Sequence, residues 1–292
     1  MFRSHSTITT FAMVGIFGLT AAVERVRAGE SNTPPLRTHG PIHVHRLDDG
    51  RLERGPRNEF STSNWSGYAI GSYQAAGQKF TSAGATWAVP TVTFGPTQSG
   101  TDEEYSASWV GIGGFCLNAL CSKVDQTLIQ LGTSQYVSSS GTTSYFAWYE
   151  MIPANPVQIT SINVNPGEKI SASLQCVSAC SAKRQNWKLS MTNITTNRTW
   201  THTFSYSSSL ASADWIEEAP ASTGGVLPLA DFGVVGMFPY VDGNAASNNL
   251  NVSANGIQMT DPWGQTSNPS STDVSGFNTC WGYGSPAPCA SP

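Results

Sequence analysis

Residues 187–206 read WKLSMTNITTNRTWTHTFSY, and this stretch decides the fold class. Large apolar side chains alternate with polar ones on both sides of the turn residues 193–197. A period of two residues is that of a β-strand, whereas a helix would repeat every 3.6 residues. The stretch therefore predicts a β-hairpin whose aromatic face carries Trp187, Trp200 and Phe204.

Other segments repeat this strand-like pattern. They are residues 108–112, 127–131, 145–151, 162–164 and 170–174. We find no amphipathic helical pattern longer than about ten residues. Many short strands joined by Gly, Pro and Asn turns predict an all-β, antiparallel sandwich of the jelly-roll type.

The chain of 292 residues divides into four predicted parts. An apolar run over residues 11–23, preceded by Arg3, predicts a signal peptide over 1–28, with a single membrane anchor as the alternative. Residues 29–60 are rich in Pro, Arg and His and are interpreted as a prosegment or linker. Residues 61–263 are assigned to the β-sandwich, and 264–292 to a loop-like Ser/Gly/Pro-rich tail.

Charge is unevenly distributed along the chain. Residues 1–57 hold eight arginines and five acidic residues, while the remainder holds seven basic and fourteen acidic residues. A basic leader on an acidic body suggests a propeptide held partly by charge, although a disordered linker would have the same composition. The body lacks a basic stripe, so we expect no nucleic-acid partner and, after signal cleavage, no membrane partner.

The six cysteines lie in three close pairs, which fits an exported protein. Local disulfides are expected between the members of each pair. The pairs are Cys116 with Cys121, Cys176 with Cys180, and Cys280 with Cys289. No histidine accompanies them and none has the spacing of a zinc knuckle, so we expect no metal and no cofactor.

Histidine usage restricts the chemistry that the body can perform. Of the five histidines, only His202 lies beyond the leader, and its place on an aromatic strand favours a packed or surface role. A Ser-His-Asp triad or Cys-His pair is therefore disfavoured. A His-Glu-x-x-His motif and the Asp-Thr/Ser-Gly loops of aspartic peptidases are both absent from the sequence. Hydrolysis, if it occurs, must use carboxylates and amides.

Two places in the body set carboxylates among large apolar residues. Glu150 follows Trp148 and Tyr149, and Glu217 and Glu218 follow Trp215 and Ile216. A carboxyl in such surroundings loses solvation, which raises its pKa. It can then hold or accept a proton in mildly acidic solution.

Several motifs, in this order, resemble the glutamic peptidase (eqolisin) family, of the scytalidoglutamic and aspergilloglutamic type. They span about residues 64–260: NWSGY at 64–68, WAVP at 87–90, WVGIG at 109–113, LIQLG at 128–132, AWYE at 147–150, ADWIEE at 213–218 and FG at 232–233. The resemblance implies two antiparallel sheets, as in concanavalin-like folds. It also implies an active site on the concave face of one sheet, open to an extended peptide.

The resemblance also implies a catalytic pair, Gln130 and Glu218. Glu218 would take a proton from the attacking water and return it to the leaving amine. The Gln130 amide, which is not basic, would donate to the oxyanion. Trp65, Trp109 and Glu150 match positions with substrate-binding or supporting roles.

Two positions depart from the family pattern. Gly113 and Ser134 stand where the family often has acidic residues. If those carboxylates tune the site, these departures could change the pH profile or lower the activity.

The sequence thus predicts a secreted, monomeric acid endopeptidase, made as a zymogen, that acts on protein or peptide substrates. Two other functions stay open at this point. One is a carbohydrate-active sandwich that uses Glu150 and Glu218 as its carboxylate pair. The other is a secreted binding module without catalysis.

Overall fold

The structure is a computed structural model that describes residues 36–75, 77–95, 103–241, 244–245, 256–273, 275–282 and 289–292. The chain divides into residues 1–33 and residues 34–292, and only the second unit contains described residues. The predicted signal peptide over 1–28 lies outside them. Within the described part, no helix is long and apolar enough to cross a membrane.

The described residues form strands and turns, without a helix among them. The strands are β1 (Phe60–Thr62), β2 (Trp65–Gly71), β3 (Ser82–Ala88), β4 (Glu104–Gly113), β5 (Leu128–Val137), β6 (Thr143–Met151), β7 (Val157–Gln158), β8 (Lys169–Ser178), β9 (Gln185–Asn193), β10 (Arg198–Tyr206), β11 (Ser212–Glu218), β12 (Ala221–Ser222), β13 (Gly225–Val226), β14 (Val234–Val241), β15 (Asn244–Ala245), β16 (Gly256–Thr260), β17 (Thr266–Pro269) and β18 (Phe277–Trp281).

One largely antiparallel sheet runs through most of these strands. Its order is β10-β9-β8-β3-β14-β18-β17-β16-β2-β11-β4-β5-β6-β7. Strands β3 and β8 also contact β4 and β5, although they are far from them in this order, so the sheet folds over itself. The predicted all-β sandwich is confirmed, with the refinement that its two layers are hydrogen-bonded into one sheet.

Both faces of β2, β4 and β11 are buried, and each face contributes to a different hydrophobic cluster. The interior of the sandwich contains Val110, Ile112 and Trp215. The opposite face contributes Trp109 and Ile216 to a second cluster. Alternate residues of a strand point to opposite faces, so these strands are apolar along their whole length.

Leader residues complete the second cluster. Ile42 and Phe60 are buried in it, beside the indoles of Trp65 and Trp148. Residues 36–60, which we interpreted as a prosegment or linker, therefore pack on the body as part of the fold.

Most predicted local features are confirmed. The hairpin of residues 187–206 is β9 and β10, paired from Arg198 opposite Asn193 to Tyr206 opposite Gln185. Residues 108–112, 127–131, 145–151 and 170–174 fall in or at the ends of strands. All three predicted disulfides are formed, Cys116–Cys121, Cys176–Cys180 and Cys280–Cys289.

Two local predictions were wrong. Residues 162–164 form no strand, because the Ile162 amide donates to the Ile159 carbonyl in a turn. The tail 264–292 is not simply loop-like, since β17 and β18 lie inside the sheet between β16 and β14. Polar residues such as Ser267 and Thr279 are buried there, so composition suggested a loop where sheet pairing satisfies the backbone.

We predict that Gly132→Ala lowers the stability of the fold. Gly132 lies opposite Trp109, and a Cβ at this position would lie 2.5 Å from the Trp109 Cβ and overlap the Ser108 carbonyl oxygen. Overpacking a rigid core costs about 1–3 kcal/mol, so the Tm should fall by several degrees in thermal unfolding. Gly224→Ala is the control, because its nearest neighbour would be Ser222 Oγ at 3.6 Å. Equal Tm values for the two variants would contradict the packing argument.

Candidate active site

Strand register brings the predicted site residues to one face of the sheet. Glu218 of β11 pairs with Trp65 of β2. Gln130 of β5 pairs with Glu150 of β6, and Trp109 lies on β4 between β11 and β5. All five side chains are buried. The motifs that are scattered along the sequence therefore form one cleft.

Glu218 is buried in the cleft. Its Oε2 accepts a hydrogen bond of 2.7 Å from the indole Nε1 of Trp109. Burial raises its pKa well above the ordinary 4.5, the Trp109 bond opposes that rise, and the nearby carboxyls of Glu150 and Glu217 add to it. Such a carboxyl can exchange a proton in weakly acidic solution.

The Gln130 amide is oriented by its cross-strand partner. Its Nε2 donates to Glu150 Oε2 over 3.3 Å, which directs the second N–H of the amide into the cleft, where it donates to the carbonyl oxygen of His39. Burial raises the pKa of Glu150 to about 8, although a backbone amide hydrogen bond from His39 opposes that shift.

Two glycines make room for the Trp109 indole. A Cβ at Gly111 would lie 2.9 Å from Trp109 Cζ3, and Gly132 lies directly beneath Trp109. The edge of Trp65 packs on Trp109 with ring centroids 4.9 Å apart. These contacts hold the indole N–H of Trp109 at Glu218. They explain why glycines stand beside the large indole on this face.

The leader residue His39 occupies the centre of the cleft. Its carbonyl oxygen accepts a 2.5 Å hydrogen bond from Gln130 Nε2, and its amide donates to Glu150 Oε2 over 2.9 Å. Its Nδ1 is 3.1 Å from Glu218 Oε2, and its Nε2 is 3.3 Å from Ser134 Oγ. The ring stacks on Trp148 with a centroid separation of 3.7 Å.

Sequence reasoning missed His39, because it treated the leader histidines as remote from the carboxylates of the body. No local pattern around His39 indicates a site. The charge contrast between leader and body was the available signal, and it indicated association without identifying a contact residue.

Backbone hydrogen bonds extend this contact on both sides of His39. Thr38 and Ala221 exchange two bonds, of 3.0 and 2.8 Å. Trp65 Nε1 donates to the Gly40 carbonyl over 3.1 Å, and the Ile42 amide donates to the Gly114 carbonyl. Residues 38–42 thus lie in the cleft much as an extended peptide would.

The two departures noted in the sequence have different structural settings. Gly113 has a φ of 97°, and a Cβ there would overlap the carbonyl oxygen of Thr127, so this backbone excludes a larger residue. Ser134 lies on the cleft face of β5 and touches the imidazole of His39.

His202 lies away from this site. It is exposed on β10, where its ring packs on Phe204 with centroids 4.4 Å apart. Together with Tyr149 and Trp200 it borders a groove of about 250 Å³ whose lining contains no carboxylate. Aromatic rings line this groove, but its lining offers no carboxylate pair for glycoside hydrolysis.

Comparisons with known proteins agree in the family that they indicate. The model of the peptidase A4 family matches residues 63–280. Aspergillopepsin-2 of Aspergillus niger is 28% identical over 251 residues, which cover 79% of this chain and 83% of that protein. Two crystal structures of scytalido-glutamic peptidase with transition-state analogues match the fold. Their identities are 22% and 23% and their TM-scores 0.54 and 0.55, each covering 75% of this chain and 98% of the other.

We predict that the folded chain is more stable at pH 5 than at pH 8. Burial raises the pKa of Glu104 to about 7, raises those of Glu150 and Glu217 to about 8, and raises those of Asp214 and Glu218. A carboxyl whose pKa is higher in the folded chain than in the unfolded chain stabilises the fold in acid. This stabilisation is lost as the pH rises from the unfolded pKa towards the folded pKa. The lowered pKa values of His39 and His43 act in the opposite direction, but these two imidazoles oppose the five carboxyls named above.

Thermal unfolding at the two pH values measures this effect, and the Tm should be higher at pH 5 by at least about 5 °C. Glu217→Gln should reduce the difference, because its buried amide cannot ionise. Asp48→Asn, at an exposed position, should leave the difference unchanged. A Tm that rises from pH 5 to pH 8 would contradict the assignment of neutral buried carboxyls.

Proposed function

The chain belongs to the peptidase A4 family, the glutamic (eqolisin) peptidases, and on that premise we propose that it is a secreted acid endopeptidase whose catalytic pair is Gln130 and Glu218. Membership of a peptidase family decides against the carbohydrate-active and purely binding alternatives. Peptides and unfolded proteins are then its substrates.

Glu218 is the proton-transfer group in this proposal. Peptide hydrolysis needs a base for the attacking water and an acid for the leaving amine, and one carboxyl can serve as both in turn. In the leader-filled cleft, burial raises the pKa of Glu218. Solvent that enters with a substrate restores part of its hydration and lowers that pKa, so the carboxylate becomes available in mildly acidic solution.

Gln130 is the oxyanion donor, and one observation carries this part of the proposal. Its Nε2 donates to a peptide carbonyl, that of His39, at 2.5 Å. The imidazole Nδ1 of His39 lies 3.1 Å from Glu218 Oε2. A peptide group in the cleft can therefore engage both members of the pair, and the amide donor needs no rearrangement as charge develops on the oxygen.

The remaining cleft residues support these two. Glu150 positions the Gln130 amide by accepting its other N–H. Trp109 donates to Glu218, and Trp65 donates to a leader carbonyl in a place where it could hold a substrate backbone. The chemistry requires neither metal nor cofactor in this proposal.

Secretion and a prosegment belong to the same proposal. Three disulfides support an oxidising compartment. The signal peptide is assigned to residues 1–28, the prosegment to residues 29–60 and the catalytic domain to residues 61–263 with the tail 264–292. The mature enzyme is proposed to be a monomer.

We predict that Glu218→Gln and Gln130→Ala each abolish acid proteolysis. Loss of an oxyanion donor costs about 10²–10³-fold in kcat, and loss of the base should cost at least as much. The measurement is cleavage of a denatured protein from pH 2 to 7 after acid preincubation of the full chain. Inhibitors of serine, cysteine and metallopeptidases are present throughout.

Glu217→Gln is the matched control for this experiment. Glu217 neighbours Glu218 on the same strand but points to the sandwich interior, where it accepts a 2.5 Å hydrogen bond from Ser108. Activity should survive in this variant. Full activity in Glu218→Gln, or equal losses in all three variants, would refute the catalytic pair.

A further inference from the structure

We propose that the groove between β6, β7 and β10 is a second binding site, distinct from the catalytic cleft, whose ligand is a chain of neutral sugar rings. The groove has a volume of about 250 Å³. Aromatic side chains of β6 and β10 form one wall, and polar side chains of residues 158–161 form the other. This site is independent of the proposed peptidase chemistry, because it shares no residue with the catalytic pair.

Strand alternation separates the groove from the cleft. Trp148 and Glu150 of β6 face the cleft, where they contact His39. Tyr149 lies between them, points to the opposite face, packs against the interior of the sandwich and reaches the groove. Strands β7 and β10 are the two ends of the strand order, so the groove lies at the open side of the sandwich. A ligand there does not compete with a peptide in the cleft.

Alternate residues of β10 form a row of rings along the aromatic wall. Trp200, His202 and Phe204 share one face of this strand, so the row extends over about 13 Å. The rings of Trp200 and His202 lie within 17° of parallel with centroids 6.3 Å apart, and Tyr149 stacks on Trp200 at 5.2 Å. Trp200 and Phe204 are half-buried and His202 is exposed. The row therefore presents aromatic surface to solvent over a length that suits more than one sugar ring.

The second wall supplies polar groups without charge. Gln158, Thr160 and Ser161 are exposed, and their side chains make no hydrogen bond to the part of the chain that the structure describes. Among the described residues that line the groove, none is Lys, Arg, Asp or Glu. A charged ligand would find no counter-charge here, so the lining favours a neutral one.

Rings on one side and hydroxyl and amide groups on the other match the two kinds of surface that a sugar has. The C–H groups on one face of a sugar ring are attracted to the electron-rich face of an aromatic ring. Its hydroxyl groups, at the edge of the ring, can both donate to and accept from Gln, Thr and Ser side chains. Because the lining lacks a carboxylate, the bound sugar is held without being cleaved.

An extended peptide is the competing occupant of this groove. Among the described strands β10 pairs only with β9, so its other edge is open to a further strand. Such pairing uses backbone groups, however, and requires neither a row of rings nor a wall of hydroxyl and amide side chains. The sugar accounts for both walls, and it is therefore the ligand that the groove favours.

The test measures binding of the full-length chain by isothermal titration calorimetry at pH 6. The probes are linear oligosaccharides of glucose, of N-acetylglucosamine, of mannose and of xylose. A galacturonic acid oligomer is the charged sugar probe. An uncharged peptide of Thr, Gln and Tyr residues is the peptide probe.

Three variants locate the binding. Trp200→Ala removes the largest ring of the row. Trp263→Ala is its matched control, because Trp263 is a 45% exposed indole in a turn outside the groove. Trp200 also packs against the core, so the Tm of each variant is measured first. Gln158→Ala changes an exposed side chain of the polar wall and keeps the rings in place.

We expect at least one neutral oligosaccharide to bind the wild type with a Kd of about 1 mM or below. Trp200→Ala should weaken that binding at least about tenfold, because the stacking surface is lost. Gln158→Ala should weaken it about threefold through the loss of one hydrogen bond. Trp263→Ala should bind as the wild type does.

Four results would overturn the sugar site. They are no binding of any neutral oligosaccharide up to about 10 mM, a preference for the galacturonic acid oligomer, equal affinities of Trp200→Ala and Trp263→Ala, and binding of the peptide probe alone. The last result, if Trp200→Ala abolished it, would assign the groove to peptides. If Trp200→Ala does not fold, Gln158→Ala decides, and an unchanged affinity in that variant overturns the site.

Discussion

The cleft depends on the register of four antiparallel strands, β11, β4, β5 and β6. Side chains in a strand alternate between faces, so a shift of one residue in any of these strands would move its site residue into the sandwich interior. In the observed register, Gln130 lies opposite Glu150 and Trp109 lies opposite Gly132. Gly111 and Gly132 stabilise this register, because only glycine leaves room for the Trp109 indole on the cleft face.

The same strand register excludes solvent from the cleft residues. The cleft face is apolar enough to form its own hydrophobic cluster, and the leader closes it with Ile42. Carboxyls in such a place favour the neutral form, and burial therefore raises the pKa values of Glu150 and Glu218. Burial also disfavours a charged His39, so the same physical effect acts on the proposed catalytic carboxyl of Glu218 and on the leader residue that contacts it.

Much of this structure could be predicted from the sequence, for identifiable reasons. Alternating patterns located the β9–β10 hairpin, because half-buried strands show the period of the sheet directly. Close cysteine spacing gave the disulfides. Gln130 and Glu218 came from motif resemblance, and the structure brings both to one cleft. The strands of the tail were missed because their buried residues are polar. His39 was missed because its role arises from contacts between distant segments, which no local pattern records.

In the mechanism that we propose, Glu218 activates water directly and no residue of the chain forms a covalent bond to the substrate. Partition of the acyl product between water and added methanol during acid cleavage of a peptide tests this most directly, since an acyl-enzyme would pass its acyl group to the alcohol. We expect that only the free acid forms, at every methanol concentration that leaves the chain folded. A methyl ester that increases with methanol would contradict it and would indicate a nucleophilic side chain, with Ser134 beside His39 as the first candidate.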